Sequence, residues 1–357
     1  MSTLSPARLI VWALLGGAAL GGCRATEAKQ EERKERLEEV GAGMKAWLTE
    51  RIDAWQRAAR ELADAAPAPP DRGWDPELDG PALAQMKRAW LTGRDAYEHI
   101  EGAIAPTFPE SDTATDARYD DFLLQLGPVG DPRPFDDEGV VGMHAIERVL
   151  WANSIPEVVV DFERGLPGYR PARFPETAEE AAEFKEKLAG RLTRDIAALL
   201  REFEPLVLDV SFSFQGLIDL SVEQAEKVDR AATGQEESRY AQTTMRDLRA
   251  NHRGCLEAYR IFQPWVRSAP GGPALDAEVL TAFDRLRIAY EAVSGDAIPK
   301  PPAGWSSVKP RAEHAETPFG RLFHTVKRES DPSVEGSLTE RLYAIAKLLE
   351  LDGVVVR

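Results

Sequence analysis

The chain has 357 residues, 44 Lys and Arg against 60 Asp and Glu, a net charge of −16 and two cysteines. Two cysteines exclude a disulfide framework and a four-cysteine zinc site. The acid excess argues against nucleic acid as a partner, because phosphate neutralisation needs clustered Lys and Arg. The length is ample for a large core without staples.

Residues 1–22 carry one charge, Arg8, and the apolar stretch Leu9–Leu20 is too short to span a bilayer comfortably. A basic start, a short apolar centre and a small-residue exit read as a signal peptide. Leu20-Gly21-Gly22-Cys23 resembles a bacterial lipobox, which makes Cys23 the expected lipidation site and residues 23–39 a polar tether. A plain signal peptide with an adjacent cysteine is the alternative. Removal of Arg8 with the leader takes the net charge from −16 to −17. Only Cys255 then remains as a side-chain thiol.

Beyond the tether, helical periodicity dominates. Apolar residues from Leu37 to Leu62, including Met44, Leu48, Ile52 and Trp55, recur at three/four spacing and predict a helix over Glu31–Ala66. The prolines after Ala66 end it. A second helix is predicted from Pro81 to Ile104, and a short one over Asp116–Leu126. Asp136 or Asp137 is expected to cap a helix running to Trp151. Residues 153–175 hold four prolines and read as a connection. Thr177 and Glu180 have the spacing of a capping box at the start of a helix reaching Glu204. Further helices are predicted over 207–232, 236–263, 274–294, 316–328 and 337–350. The fold class is all-α: two packed helical bundles, residues 40–152 and 176–357, joined by 153–175.

Phosphate-binding loops and the G-x-S-x-G elbow are missing. Ser306-Ser307-Val308-Lys309 matches S-x-x-K but lies in a Pro-rich loop, where a nucleophile has no rigid helical start. Among five histidines, His144 has the suggestive setting, Gly142-Met143-His144-Ala145-Ile146-Glu147. Residues three apart share a helix face, so His144 and Glu147 can meet one metal ion. Arg148 follows Glu147, so the inverse zincin motif H-x-x-E-H fails. Glu98 and Glu101 lie one turn apart on the second helix, with Arg94 four residues before Glu98. They are either a solvated acidic face or carboxylates turned toward the His144 helix inside a bundle.

Gly142 to Trp151 resembles the G-x-H-x-x-E signature of the imelysin family, including its EfeO-type iron-uptake proteins. Tyr97-Glu-His-Ile-Glu101 and Asp116-Ala-Arg118 resemble upstream segments of that family. Ala232–Glu237, Tyr240 and Asp247–Asn251 resemble a downstream one. The resemblance implies an all-helical protein of the bacterial envelope, facing the periplasm or the exterior, with a role in iron uptake. It implies His144, Glu147, Glu101 and Glu98 as metal ligands, with Asp116, Arg118, Asp247 and Tyr240 around them. The cofactor or cargo is expected to be iron, with zinc, manganese or calcium as alternatives, and the partners a membrane, through the lipid at Cys23, and an iron permease. The chain departs from the family at Ala241 and Thr244, and it has no room for a cupredoxin domain. A metallopeptidase, with Glu147 or Glu101 as general base, and a lipoprotein holding a non-metal ligand are the competing readings.

Overall fold

The computed structural model describes the backbone of residues 11–356 and side chains from Lys29 onward. The expected leader and lipid-bearing Cys23 therefore fall, in whole or in their side chains, outside the described residues. No strand occurs among the described residues, so the all-helical expectation holds.

Helix α1 is Val11–Ala65, and from Val40 on it carries one apolar stripe. Val40, Met44, Leu48, Ile52, Trp55, Ala59 and Leu62, spaced three or four apart, are all buried. Complete burial of each large side chain contributes about 1.5–3 kcal/mol. Helix α2 is Gly80–Glu98, with Pro81 in its first turn. Helices α3 (Glu101–Thr107), α4 (Pro109–Asp116) and α5 (Tyr119–Leu126) are short. Next come α6 (Gly142–Leu150), α7 (Glu157–Arg164), α8 (Ala178–Glu183) and α9 (Gly190–Phe203). The long helices α10 (Val210–Arg230), α11 (Thr244–Ser268) and α12 (Gly272–Glu291) follow. The chain closes with α13 (Ala312–Ala315), α14 (Pro318–Ser330) and α15 (Leu338–Leu348).

Several predicted elements differ from those observed. The helix expected over 236–263 starts at Thr244, leaving 236–243 as turn and irregular chain, and the one expected over Asp116–Leu126 starts at Tyr119, with Asp116 ending α4. The helix expected over Pro81–Ile104 breaks between Glu98 and Glu101. There the Asn251 side-chain amide donates to the Glu98 carbonyl at 2.8 Å, the oxygen that a continuous helix would offer to Gly102. Gly254 also lies against this break: a Cβ there would come within 2.0 Å of the His99 carbonyl oxygen. The helix expected from Asp136 begins at Gly142 instead, because Asp136 uses its carboxylate on the Glu138 N–H within a turn. The capping box at Thr177 forms by half. Thr177 accepts from the Glu180 N–H, while the Glu180 carboxylate turns to Arg173 and the Glu176 N–H.

The core forms two apolar clusters. One gathers residues from Leu48 to Phe203 together with Tyr240, the other Val210 to Leu351 together with Val40 and Met44. Helix α1 thus runs through both. The expected connection at 153–175 holds α7, and Val158–Val160 lie on that helix. The division of the core lies later in the chain, near 204–209, because α8 and α9 pack on the first cluster through Ala181, Leu192, Ile196, Leu199 and Phe203.

Candidate metal centre

Gly142 determines how α6 meets α4. Its φ is +84°, and a Cβ would lie 2.7 Å from the Thr115 carbonyl oxygen and 2.8 Å from that of Ala114. Only glycine accepts both conditions without strain. This close approach sets the first turn of α6 against the last turn of α4, which brings His144 beside Asp116. Every residue of α6 is buried, so its polar side chains must find partners inside the protein.

They do. His144 Nδ1 lies 2.8 Å from Glu147 Oε2. A carboxylate only accepts, so the proton sits on Nδ1 and Nε2 points the other way. Glu147 Oε1 accepts the backbone N–H groups of Tyr240 at 2.9 Å and Ala241 at 2.8 Å. Both Glu147 oxygens are therefore engaged. The Tyr240 hydroxyl donates to Glu163, which also pairs with Arg148.

His144 Nε2 is buried without a hydrogen-bond partner. Its nearest charged neighbours are Asp116 Oδ1 at 3.5 Å and Glu237 Oε1 at 3.7 Å. Asp116 ends α4, His144 lies in the first turn of α6, and Glu237 lies in the turn after α10. One ligand atom from each of the three falls within 4.8 Å of the others. An imidazole nitrogen and two carboxylate oxygens meeting at a buried point, one of them unpartnered, is a donor set that fits a metal ion.

Two cations already stand among the surrounding acids. Arg94, on α2, pairs with Asp116 and Glu98, lies 3.1 Å from Glu237, and its Nε is 3.8 Å from Asp247 Oδ1. Lys227, on α10, holds both oxygens of Glu101 at 2.9 and 2.7 Å, with Glu98 at 3.4 Å. Asn251 donates to Glu101 at 2.9 Å and also to Glu98. Burial raises Glu98, Asp116 and Asp247 to about 7 and Glu101 to about 8, against the pull of Arg94 and Lys227. Burial also pushes His144 down, but its contacts with Glu147 and Glu237 outweigh this and raise it to about 9. Burial likewise opposes ionisation of Glu237, yet Lys227, His144 and Arg94 hold its carboxyl well below the usual range.

The expected ligand set of His144, Glu147, Glu98 and Glu101 is thus not the set that converges. Glu147 orients the imidazole, Glu101 is held by Lys227, and Glu98 is held by Arg94, Lys227 and Asn251. Asp116, expected beside the ligands, is among the three converging groups, and Asp247 reaches them through Arg94. Tyr240 contributes its backbone N–H, and its side chain points to Glu163. Arg118 faces Asp121 at 3.6 Å, at the start of α5. Glu237 was not singled out from the sequence, although the segment Ala232–Glu237 was. Its signal is the doubled acid after Gly234, which has φ +73° and turns the chain at the end of α10.

The imelysin family model (Peptidase_M75) matches residues 41–315, which include Arg94, Asp116, His144 and Glu237. No curated protein matches the chain. With the family model covering most of its length, the chain belongs to the imelysin family.

Proposed function

We propose that the protein binds iron as cargo at Asp116, His144 and Glu237, as an EfeO-type member of an envelope iron-uptake system. The observation that carries this reading is the buried, unpartnered His144 Nε2 facing two carboxylates from two other elements. Imidazole with carboxylate oxygens suits Fe²⁺, and Zn²⁺ or Mn²⁺ nearly as well, whereas Ca²⁺ prefers oxygen alone. An arriving ion takes the place of the proton that His144 otherwise carries on Nε2. The lipobox-like Leu20–Cys23 supports a lipid anchor in the bacterial envelope, facing the periplasm or exterior. A permease in the same membrane is the fitting recipient.

Binding is favoured over hydrolysis because the two carboxylates considered as general bases are committed. Glu147 uses both oxygens, and both oxygens of Glu101 lie on Lys227.

The test is anaerobic titration of the native chain with Fe²⁺, beside His144→Ala and Glu237→Gln. About one ion per chain is expected, with affinity lowered at least tenfold in each variant. Equal binding by all three proteins would remove the site. Mass spectrometry of the envelope-extracted protein should show a diacylglyceryl group on Cys23.

A further inference from the structure

Arg94 is 1% exposed, and its guanidinium touches the same two atoms that face His144 Nε2: Asp116 Oδ1 and Glu237 Oε1. An ion bound by His144 and these oxygens must share them with a fixed positive charge. Arg94 also has somewhere to go. Glu98 is already paired with it, and Asp247 Oδ1 lies 3.8 Å from its Nε. Both of those atoms, Arg94 Nε and Asp247 Oδ1, are buried without a hydrogen-bond partner. The guanidinium is therefore held in strong fields from four carboxylates but is incompletely bonded on the Asp247 side.

We propose that Arg94 is the resident counter-cation of the metal centre. Without an ion it bridges Asp116 and Glu237 and keeps two buried carboxylates from repelling each other. When an ion arrives, Arg94 withdraws toward Asp247 and Glu98, and its Nε completes a hydrogen bond to Asp247 Oδ1. The four carboxylates then divide into two pairs, one on the ion and one on Arg94. The arrangement lowers affinity, because the guanidinium competes for the ion's oxygens, and it stabilises the empty site. Both effects suit a protein that must release its cargo. The guanidinium itself stays charged throughout the physiological range.

This inference rests on the metal-site reading, and the two fail differently. Anaerobic Fe²⁺ titration is run on the native chain, His144→Ala, Arg94→Gln and Asp247→Asn, with helical content checked by circular dichroism. If native and His144→Ala bind alike, the metal site itself is lost, and the role of Arg94 with it. If native binds more tightly than His144→Ala, the site stands and Arg94 is tested alone. Arg94→Gln is then expected to bind about tenfold more tightly, while losing thermal stability without the ion. Unchanged or weaker binding by folded Arg94→Gln would overturn the proposal. Asp247→Asn gives an independent reading should Arg94→Gln not fold. Removing the charge to which Arg94 retreats is expected to weaken binding several-fold, and unchanged affinity would overturn the proposal equally.

Discussion

The carboxylate of Glu147 clamps the imidazole of His144 from behind: Nδ1 to Oε2 is 2.8 Å, and Oε1 is fixed by the N–H groups of Tyr240 and Ala241. The H-x-x-E spacing thus serves orientation, with the histidine as the candidate ligand and the glutamate as its support. Carboxylates that support a metal-bound histidine typically account for 10–100-fold in metal affinity. Glu147→Gln is therefore expected to weaken Fe²⁺ binding by about tenfold, within that range, while His144→Ala removes the imidazole outright and weakens it further. Calorimetric titration of both variants decides the matter. Equal losses would make Glu147 a ligand in its own right.

Gly142 makes a second prediction, about backbone. With φ at +84° and two carbonyl oxygens inside 2.8 Å of a Cβ, Gly142→Ala must push α4 and α6 apart. The expected cost is at least about 2 kcal/mol, from left-handed strain and overpacking together. The displacement separates Asp116 from His144, so metal affinity falls as well. Gly80→Ala is the control, since nothing lies within 4 Å of its Cβ position. Urea unfolding should place Gly80→Ala within about 0.5 kcal/mol of the native chain.

What the sequence revealed, and what it hid, follows the range of the forces involved. The stripe from Val40 to Leu62 was legible because burial of one helix face leaves a local period. His144 and Glu147 were legible because three-residue spacing places them on one face. The break between Glu98 and Glu101 was hidden. No proline or glycine occupies 98–100, and the cause is the amide of Asn251, more than 150 residues away. Glu237 was hidden for a similar reason. It sits in a turn with no period, and Asp116, His144 and Arg94 reach it only through tertiary packing. The helix start at Asp136 was misread because an aspartate can serve a turn as readily as a helix.

Tyr240 links the candidate metal centre to a second buried ionic group whose role is stability. Arg148 Nη2 is 3.0 Å from Glu163 Oε2, the Tyr240 hydroxyl donates to the same carboxylate, and the guanidinium stacks 3.8 Å over Tyr119. Glu163 is 1% exposed. Removing one partner of such a group leaves an uncompensated buried charge, at a cost of about 3–5 kcal/mol. Glu163→Ala is expected to fall in that range by urea unfolding. The exposed pair Arg287–Asp284 provides the contrast, and Asp284→Asn should cost under about 1 kcal/mol. Similar losses at both positions would mean that the group around Glu163 is not effectively desolvated.

His252, on α11, predicts a pH dependence. It lies among the rings of Phe283 and Tyr290, and its Nδ1 is buried without a partner. Burial, reinforced by Arg253 and Arg287, lowers it from 6.5 to about 4. The folded protein therefore resists protonation that the unfolded chain accepts. Its stabilising contribution is complete above 6.5 and drains away as pH falls from 6.5 toward 4. The full loss is about 3 kcal/mol on a scale of about 1.4 kcal/mol per unit. Many other carboxylates titrate in this window, so the comparison must be differential. His252→Phe fits the aromatic setting and removes the titration. Urea stability of the native chain should fall relative to His252→Phe between pH 6.5 and 4, then run parallel to it below 4. Curves parallel throughout would show that the imidazole takes up its proton in the folded state as easily as in the unfolded one.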